Sequence, residues 1–105
     1  MKASQYTYRV IWSEEDQEFV GMCAEFPSLS WLAESQVKAL EGICALVRDT
    51  LEDMQKNNEQ IPQPISQRRY SGKISLRLTP DTHRMIAIKA AEQGVSINRY
   101  ISSVV

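Results

Sequence analysis

The stretch that decides the fold is KISLRLTPDTHRMIAIKAAEQGVSINRYI, residues 73–101. Its first six residues alternate without exception: Ile74, Leu76 and Leu78 fall on one side, Lys73, Ser75 and Arg77 on the other. A period of two predicts a β-strand with one apolar and one polar face. Thr79 offers an N-cap hydroxyl, Pro80 presets the first helical φ, and Asp81 puts a negative charge where a helix dipole favours one. Ile86 and Ala90, with Met85 and the stem of Lys89 nearby, supply the apolar face of that helix. Gly94 suits a left-handed C-terminal cap. Ser96 then N-caps a second helix carrying Ile97, Tyr100, Ile101 and Val104.

A strand and two helices over residues 72–105 cannot cover the strand's own apolar face. Dimerisation solves this. Two strands pair antiparallel into a ribbon, the four helices interlock beneath it, and Lys73, Ser75 and Arg77 are displayed twice. Such a ribbon can enter a DNA major groove, where Arg and Lys favour guanine O6 and N7 and Ser reads more loosely. Backbone amides around Ile97 and Asn98, at the start of the second helix, suit a phosphate. The plainer alternative is a solvated edge strand guarded by its lysine.

Upstream of this tail the charge changes sign. Residues 61–105 hold seven Lys or Arg against two acids, a balance of +5, whereas residues 1–60 hold five against eleven, a balance of −6. Within a chain of 105 residues and net charge −1, that contrast predicts two small modules with different partners. The length excludes a large two-domain enzyme, and 43% hydrophobic with 24% charged residues excludes wholesale disorder. No run approaches the roughly 18 apolar residues a membrane span needs. MKASQYTYRV lacks the apolar core of a secretory signal, and Cys23 and Cys44 lack metal or redox spacing. A reduced, cytoplasmic chain is expected. Pro62 and Pro64 block a helix, so residues 61–71 are expected to link a first domain (1–60) to a second (72–105), unless a short strand around Ile61 to Ile65 returns along a sheet edge. Arg68 and Arg69 belong either to phosphate contacts or to a charged linker.

In the first domain, Tyr6, Tyr8, Val10 and Trp12 alternate with Thr7 and Arg9 and predict a strand. A polar turn, Ser13 to Gln17, joins it to a second strand over Glu18 to Phe26, making an antiparallel hairpin that Pro27 ends. A shorter strand is expected over Leu29 to Leu32. From Glu34 the period becomes helical: Val37, Leu40, Cys44, Val47, Leu51 and Met54 form one apolar stripe, read as a helix covering the sheet.

The tail resembles the ribbon-helix-helix fold of the Arc and MetJ class, and more closely the C-terminal domain of HicB-type antitoxins. The front agrees: YRVIWSEEDQEFVGMCAEFPSLS followed by an amphipathic helix resembles the N-terminal HicB domain. The resemblance implies an α+β chain with a partial RNase H-like βββα domain and a C-terminal ribbon-helix-helix (βαα) dimerisation domain. It further implies a type II toxin-antitoxin pair, in which the first domain masks HicA, a small mRNA-degrading toxin, and the second binds operator DNA and represses the operon. Carried onto this chain, Lys73, Ser75 and Arg77 match the base-contacting ribbon positions, and Ser96, Ile97 and Asn98 match the phosphate-holding helix start. LSWLAESQVK departs from the family's glycine-containing turn and Thr-Pro-Glu-Glu helix start. Glu14, Glu15 and Asp16 are candidates to meet a basic toxin, or else ordinary solvated hairpin residues.

An RNase H-like fold raises the question of nuclease activity, which needs carboxylates converging on two metal ions. The acids of residues 1–60 fall in a turn or on the outer face of the helix, so no enzyme activity, metal or cofactor is expected. His83, the only histidine, has no partners at useful spacing and reads as a surface residue. The expected protein is an antitoxin and autorepressor, a homodimer through its C-terminal domain with a tetramer left open. The rivals are a stand-alone ribbon-helix-helix repressor whose first domain binds a ligand or another protein, and an adaptor that uses the tail only to dimerise.

Overall fold

In the computed structural model, which describes residues 2–105, β1 (Tyr8–Ser13) and β2 (Glu18–Cys23) pair antiparallel. Gln17 closes the tight connection with a positive φ of 54°. β3 (Ser30–Ala33) pairs antiparallel with β2, giving a three-stranded sheet in the order β1-β2-β3. Helix α1 (Gln36–Lys56) follows, its first turn capped by Ser35, whose hydroxyl accepts from the Lys38 amide at 3.1 Å. The chain is thus α+β, an antiparallel sheet followed by helices.

Three details differ from the sequence expectation. Tyr6 is not in a strand: it follows a 3-10 turn (Ala3–Gln5) and is buried, its ring 5.5 Å from that of Phe26. β2 stops at Cys23 rather than reaching Phe26, because the chain turns over residues 24–29, with the Phe26 amide donating to the Cys23 carbonyl and the Leu29 amide to the Phe26 carbonyl. The buried stripe of α1 keeps the expected Val47 and Leu51, with Met54 packed against the core, but departs from expectation in the first half of the helix. It runs through Ala39, Ile43, Val47 and Leu51, while Val37 and Leu40 are exposed. The sheet decides this. Gly21 leaves a hollow in β2, and a β carbon there would lie 2.5 Å from the Ala39 carbonyl oxygen and 2.8 Å from Ile43 Cγ2. The backbone of α1 sits down into that hollow, so the face centred on Ile43 becomes the core. Gly42 does the same for the Trp31 ring, which occupies the space a β carbon would need.

The chain divides into two compact units, Met1–Tyr70 and Ser71–Val105. Residues 61–67 are held to the first. Pro64 is buried, the Tyr6 hydroxyl donates to the Pro62 carbonyl at 2.7 Å, and the Ser66 hydroxyl donates to the Gln5 carbonyl at 3.1 Å. A 3-10 turn (Ile65–Gln67), not a strand, follows Pro64.

The second unit contains α2 (Pro80–Glu92) and α3 (Ile97–Val104), which pack on each other. The Thr79 hydroxyl accepts from the Thr82 amide at 3.2 Å, and the Ser96 hydroxyl accepts from the Arg99 amide at 3.1 Å. Gly94 (φ +67°) ends α2, with its own amide bonded to the Ala91 carbonyl and the Val95 amide to the Ala90 carbonyl. This paired arrangement is a Schellman cap, which accommodates glycine without a Cβ penalty. The expected strand over residues 73–78 is absent: that stretch is irregular and belongs to no sheet. A strand exists only through ladder bonds to a neighbour, and the single chain supplies none.

Candidate functional site

In the second unit, Lys73, Ser75 and Arg77 are all exposed. Between them Ile74, Leu76 and Leu78 stand 81%, 59% and 43% exposed. An alternating apolar row open to water is out of keeping with a finished surface. Met85, Ile88 and Val104 are also exposed in this unit. Lys73 and Asn98, one from the expected ribbon and one from the expected phosphate site, line the same cleft of about 340 Å3, together with Gly72, Ile74, Leu76 and Ile101. Ser96 spends its hydroxyl on the helix cap, Ile97 is half-buried, and Asn98 is exposed. His83 is exposed on α2, and an exposed ion pair joins Arg84 to Asp81 at 3.6 Å.

In the first unit, Glu14, Glu15 and Asp16 sit at the tip of the β1-β2 hairpin. Two of them serve the turn. Glu14 accepts from the Trp12 indole N–H at 2.8 Å, and Asp16 accepts from the Ser13 hydroxyl at 2.9 Å. Glu15 is left pointing at solvent.

Sequence reasoning passed over Glu25. Its carboxylate accepts from the Thr7 amide at 3.0 Å, the Thr7 hydroxyl at 3.1 Å and the Ile65 amide at 2.9 Å, and the Cys23 thiol lies at 3.5 Å. Burial alone would push this carboxyl up, but the amides of Ile65 and Thr7 outweigh it and hold it below the usual carboxylate value. Burial, aided by the nearby Glu25 charge, pushes the Tyr6 hydroxyl up, and burial pushes the Cys23 thiol up, so both stay protonated at neutral pH. Cys23 and Cys44 are both free thiols. Among the described residues, no three His, Cys, Asp or Glu side chains are placed to share a metal ion. No helix among them is long and apolar enough to cross a membrane.

The other feature missed was the sheet face turned away from α1. Ile11, Val20 and Leu32 lie directly opposite one another across the three strands. The signal was present in the sequence, since Ile11 interrupts the Tyr8, Val10, Trp12 alternation with an apolar residue on the polar side.

Residues 56–105 match the HicB family model. The match spans the whole second unit and the segment leading into it, and stops short of β1, β2, β3 and nearly all of α1. No curated protein matches the chain, and no solved structure matches it. The match covers 50 of the 105 residues and marks the tail as similar to the HicB family. The exposed apolar row of Ile74, Leu76 and Leu78 lies inside the matched region.

Proposed function

We propose that this protein is a HicB-type antitoxin of a type II toxin-antitoxin pair, which binds and neutralises a HicA-type mRNA-degrading toxin and represses its own operon. The observation that carries the reading is the exposed alternating segment at residues 73–78 inside the region of HicB similarity. Its apolar residues need cover, and the simplest cover is a second copy pairing strand to strand as a ribbon-helix-helix dimer. Pairing supplies the missing ladder, buries Ile74, Leu76 and Leu78 against the helices, and presents Lys73, Ser75 and Arg77 from both copies to a major groove. Ser96, Ile97 and Asn98 then hold a phosphate at the start of α3. The first unit, a partial RNase H-like βββα module, takes the toxin, with Glu14, Glu15 and Asp16 at the hairpin tip favouring a basic partner. The protein acts by binding, in the cytoplasm, without a cofactor and without catalysis of its own; two dimers joining as a tetramer is compatible with this scheme.

One observation favours a second reading. The family match begins at residue 56, so the first unit stands outside it, and a stand-alone repressor whose first unit binds a ligand or another protein fits the same tail. Co-expression separates the two. The antitoxin reading expects the chain to restore growth to cells expressing the HicA-type protein of its host and to form a stoichiometric complex with it. Binding of the chain's own upstream DNA without any growth rescue favours the repressor.

A further inference from the structure

One face of the first unit's sheet is turned away from α1. β1, β2 and β3 have two faces. One, with Val10, Gly21 and Trp31 in register, lies under α1. On the other, the register sets Ile11 beside Val20 and Val20 beside Leu32, one aliphatic row across the full width of the sheet. Ile11 and Leu32, the outer members, are 40% and 46% exposed. The next pair toward the hairpin tip is Ser13 and Glu18. Beyond it, at the hairpin tip, Glu15 is exposed and Asp16 accepts from Ser13, so that end of the row is bounded by carboxylates, while Glu14 is drawn to Trp12 on the other face. The opposite end carries Arg9, in register with Met22 and Ser30.

We infer that this face is the seat of a small basic protein, which lays an apolar side chain across Ile11, Val20 and Leu32 and sets Lys or Arg side chains against Glu15 and Glu18. The chemistry selects this occupant. A nucleic acid is repelled by the carboxylates of Glu15, Asp16 and Glu18. A second copy laid face to face brings two sets of carboxylates into one interface with a single Arg9 from each chain to answer them, which leaves excess like charge. A basic partner turns the same carboxylates into attraction, and the aliphatic row gives it a desolvated centre inside a charged rim, the usual anatomy of a specific interface. The inference rests on the antitoxin reading for the partner's identity and adds where that partner sits. It moves the centre of the contact from the hairpin tip to the sheet face, with the tip as its rim.

The test uses the full chain and, as probe, a catalytically inactive form of the HicA-type protein from the same host. Ile11→Ser with Leu32→Ser is expected to weaken binding at least tenfold, and Glu15→Lys with Glu18→Lys to slow association and flatten its salt dependence. Val37→Ser, on the exposed flank of α1, leaves affinity unchanged. Thermal unfolding of each variant checks the fold, and the single change Leu32→Ser serves if the double variant is unfolded. Wild-type affinity in the Ile11 and Leu32 variants overturns the seat while leaving the antitoxin reading intact. Failure of the wild-type chain to bind the probe at all overturns that reading and the seat with it. Loss of self-association in the same variants, read by sedimentation with partner affinity preserved, assigns the face to a second copy and overturns the inference.

Discussion

Gly21 and Ile43 are in van der Waals contact so close that no β carbon fits between them: one built on Gly21 would lie 2.8 Å from Ile43 Cγ2. This contact sets the depth at which α1 rides on the sheet, and through it which face of the helix is core. Val47 and Leu51 follow on the same side of the helix, and Tyr6, Cys23 and Phe26 join them in the core.

Gly21→Ala therefore forces α1 away from β2, because one obstacle is the backbone carbonyl of Ala39 rather than a mobile side-chain end. Overpacking of this kind costs about 1–3 kcal/mol. Urea unfolding of the first-unit transition should show a lower midpoint with little change in slope. A wild-type midpoint would mean that the helix shifts without penalty.

Glu25→Gln tests the attachment of residues 61–67. Its carboxylate joins the Ile65 amide to the Thr7 amide and hydroxyl, and each charge-assisted bond exceeds a neutral one. The variant is expected to lose about 1–2 kcal/mol and to expose the Ile65 amide to hydrogen exchange, while the amides of α1 keep their protection. Unchanged exchange at Ile65 would show that Pro64 and Tyr6 alone hold the segment.

The same carboxylate makes a pH prediction with a definite sign. Its folded-state value is lowered from the ordinary 4.5, so the folded chain binds fewer protons there than the unfolded chain. The contribution of Glu25 is complete above that ordinary value and is lost as pH falls through the lower folded value. Stability measured from pH 6 downward should decline more gently in Glu25→Gln than in the wild type.

Leu76→Glu places a charge in the middle of the exposed alternating row. If that row is the dimer ribbon, sedimentation should show a monomer at concentrations where the wild type is dimeric, and DNA binding should go with it. A wild-type mass for the variant would remove residues 73–78 from the interface.

Arg77→Ala keeps the apolar row and removes one polar reader. The expected loss of operator affinity is roughly 1–3 kcal/mol, with a shallower dependence on salt wherever the guanidinium also meets phosphate. Binding of the HicA-type partner should be unaffected, because the proposed seat lies in the other unit.

Local chemistry was the most legible part of the chain. Thr79, Ser96, Pro80 and Gly94 act on their own neighbours within a few residues, and in the structure they cap and end α2 and α3 where the sequence puts those helices. The hairpin was legible for the same reason, since a short polar turn between apolar runs has few alternatives. The buried face of α1 was legible only in its second half, at Val47, Leu51 and Met54. Val37, Leu40, Ala39, Ile43, Val47 and Leu51 wrap more than one side of the helix, and periodicity cannot choose between overlapping stripes. Glu25 was hidden, because its partner Ile65 is 40 residues away.

By itself, the sequence determined the order of the elements, their caps and the reversal of charge between front and tail, because each depends on neighbours in the chain. Tertiary structure decided what needs partners distant in sequence. Gly21 chose the core face of α1 by admitting its backbone, and strand register aligned Ile11, Val20 and Leu32 into one row. The segment 73–78 marks the boundary between the two: its alternation is written in the sequence, but a strand needs a second strand to bond to, and the single chain does not contain one.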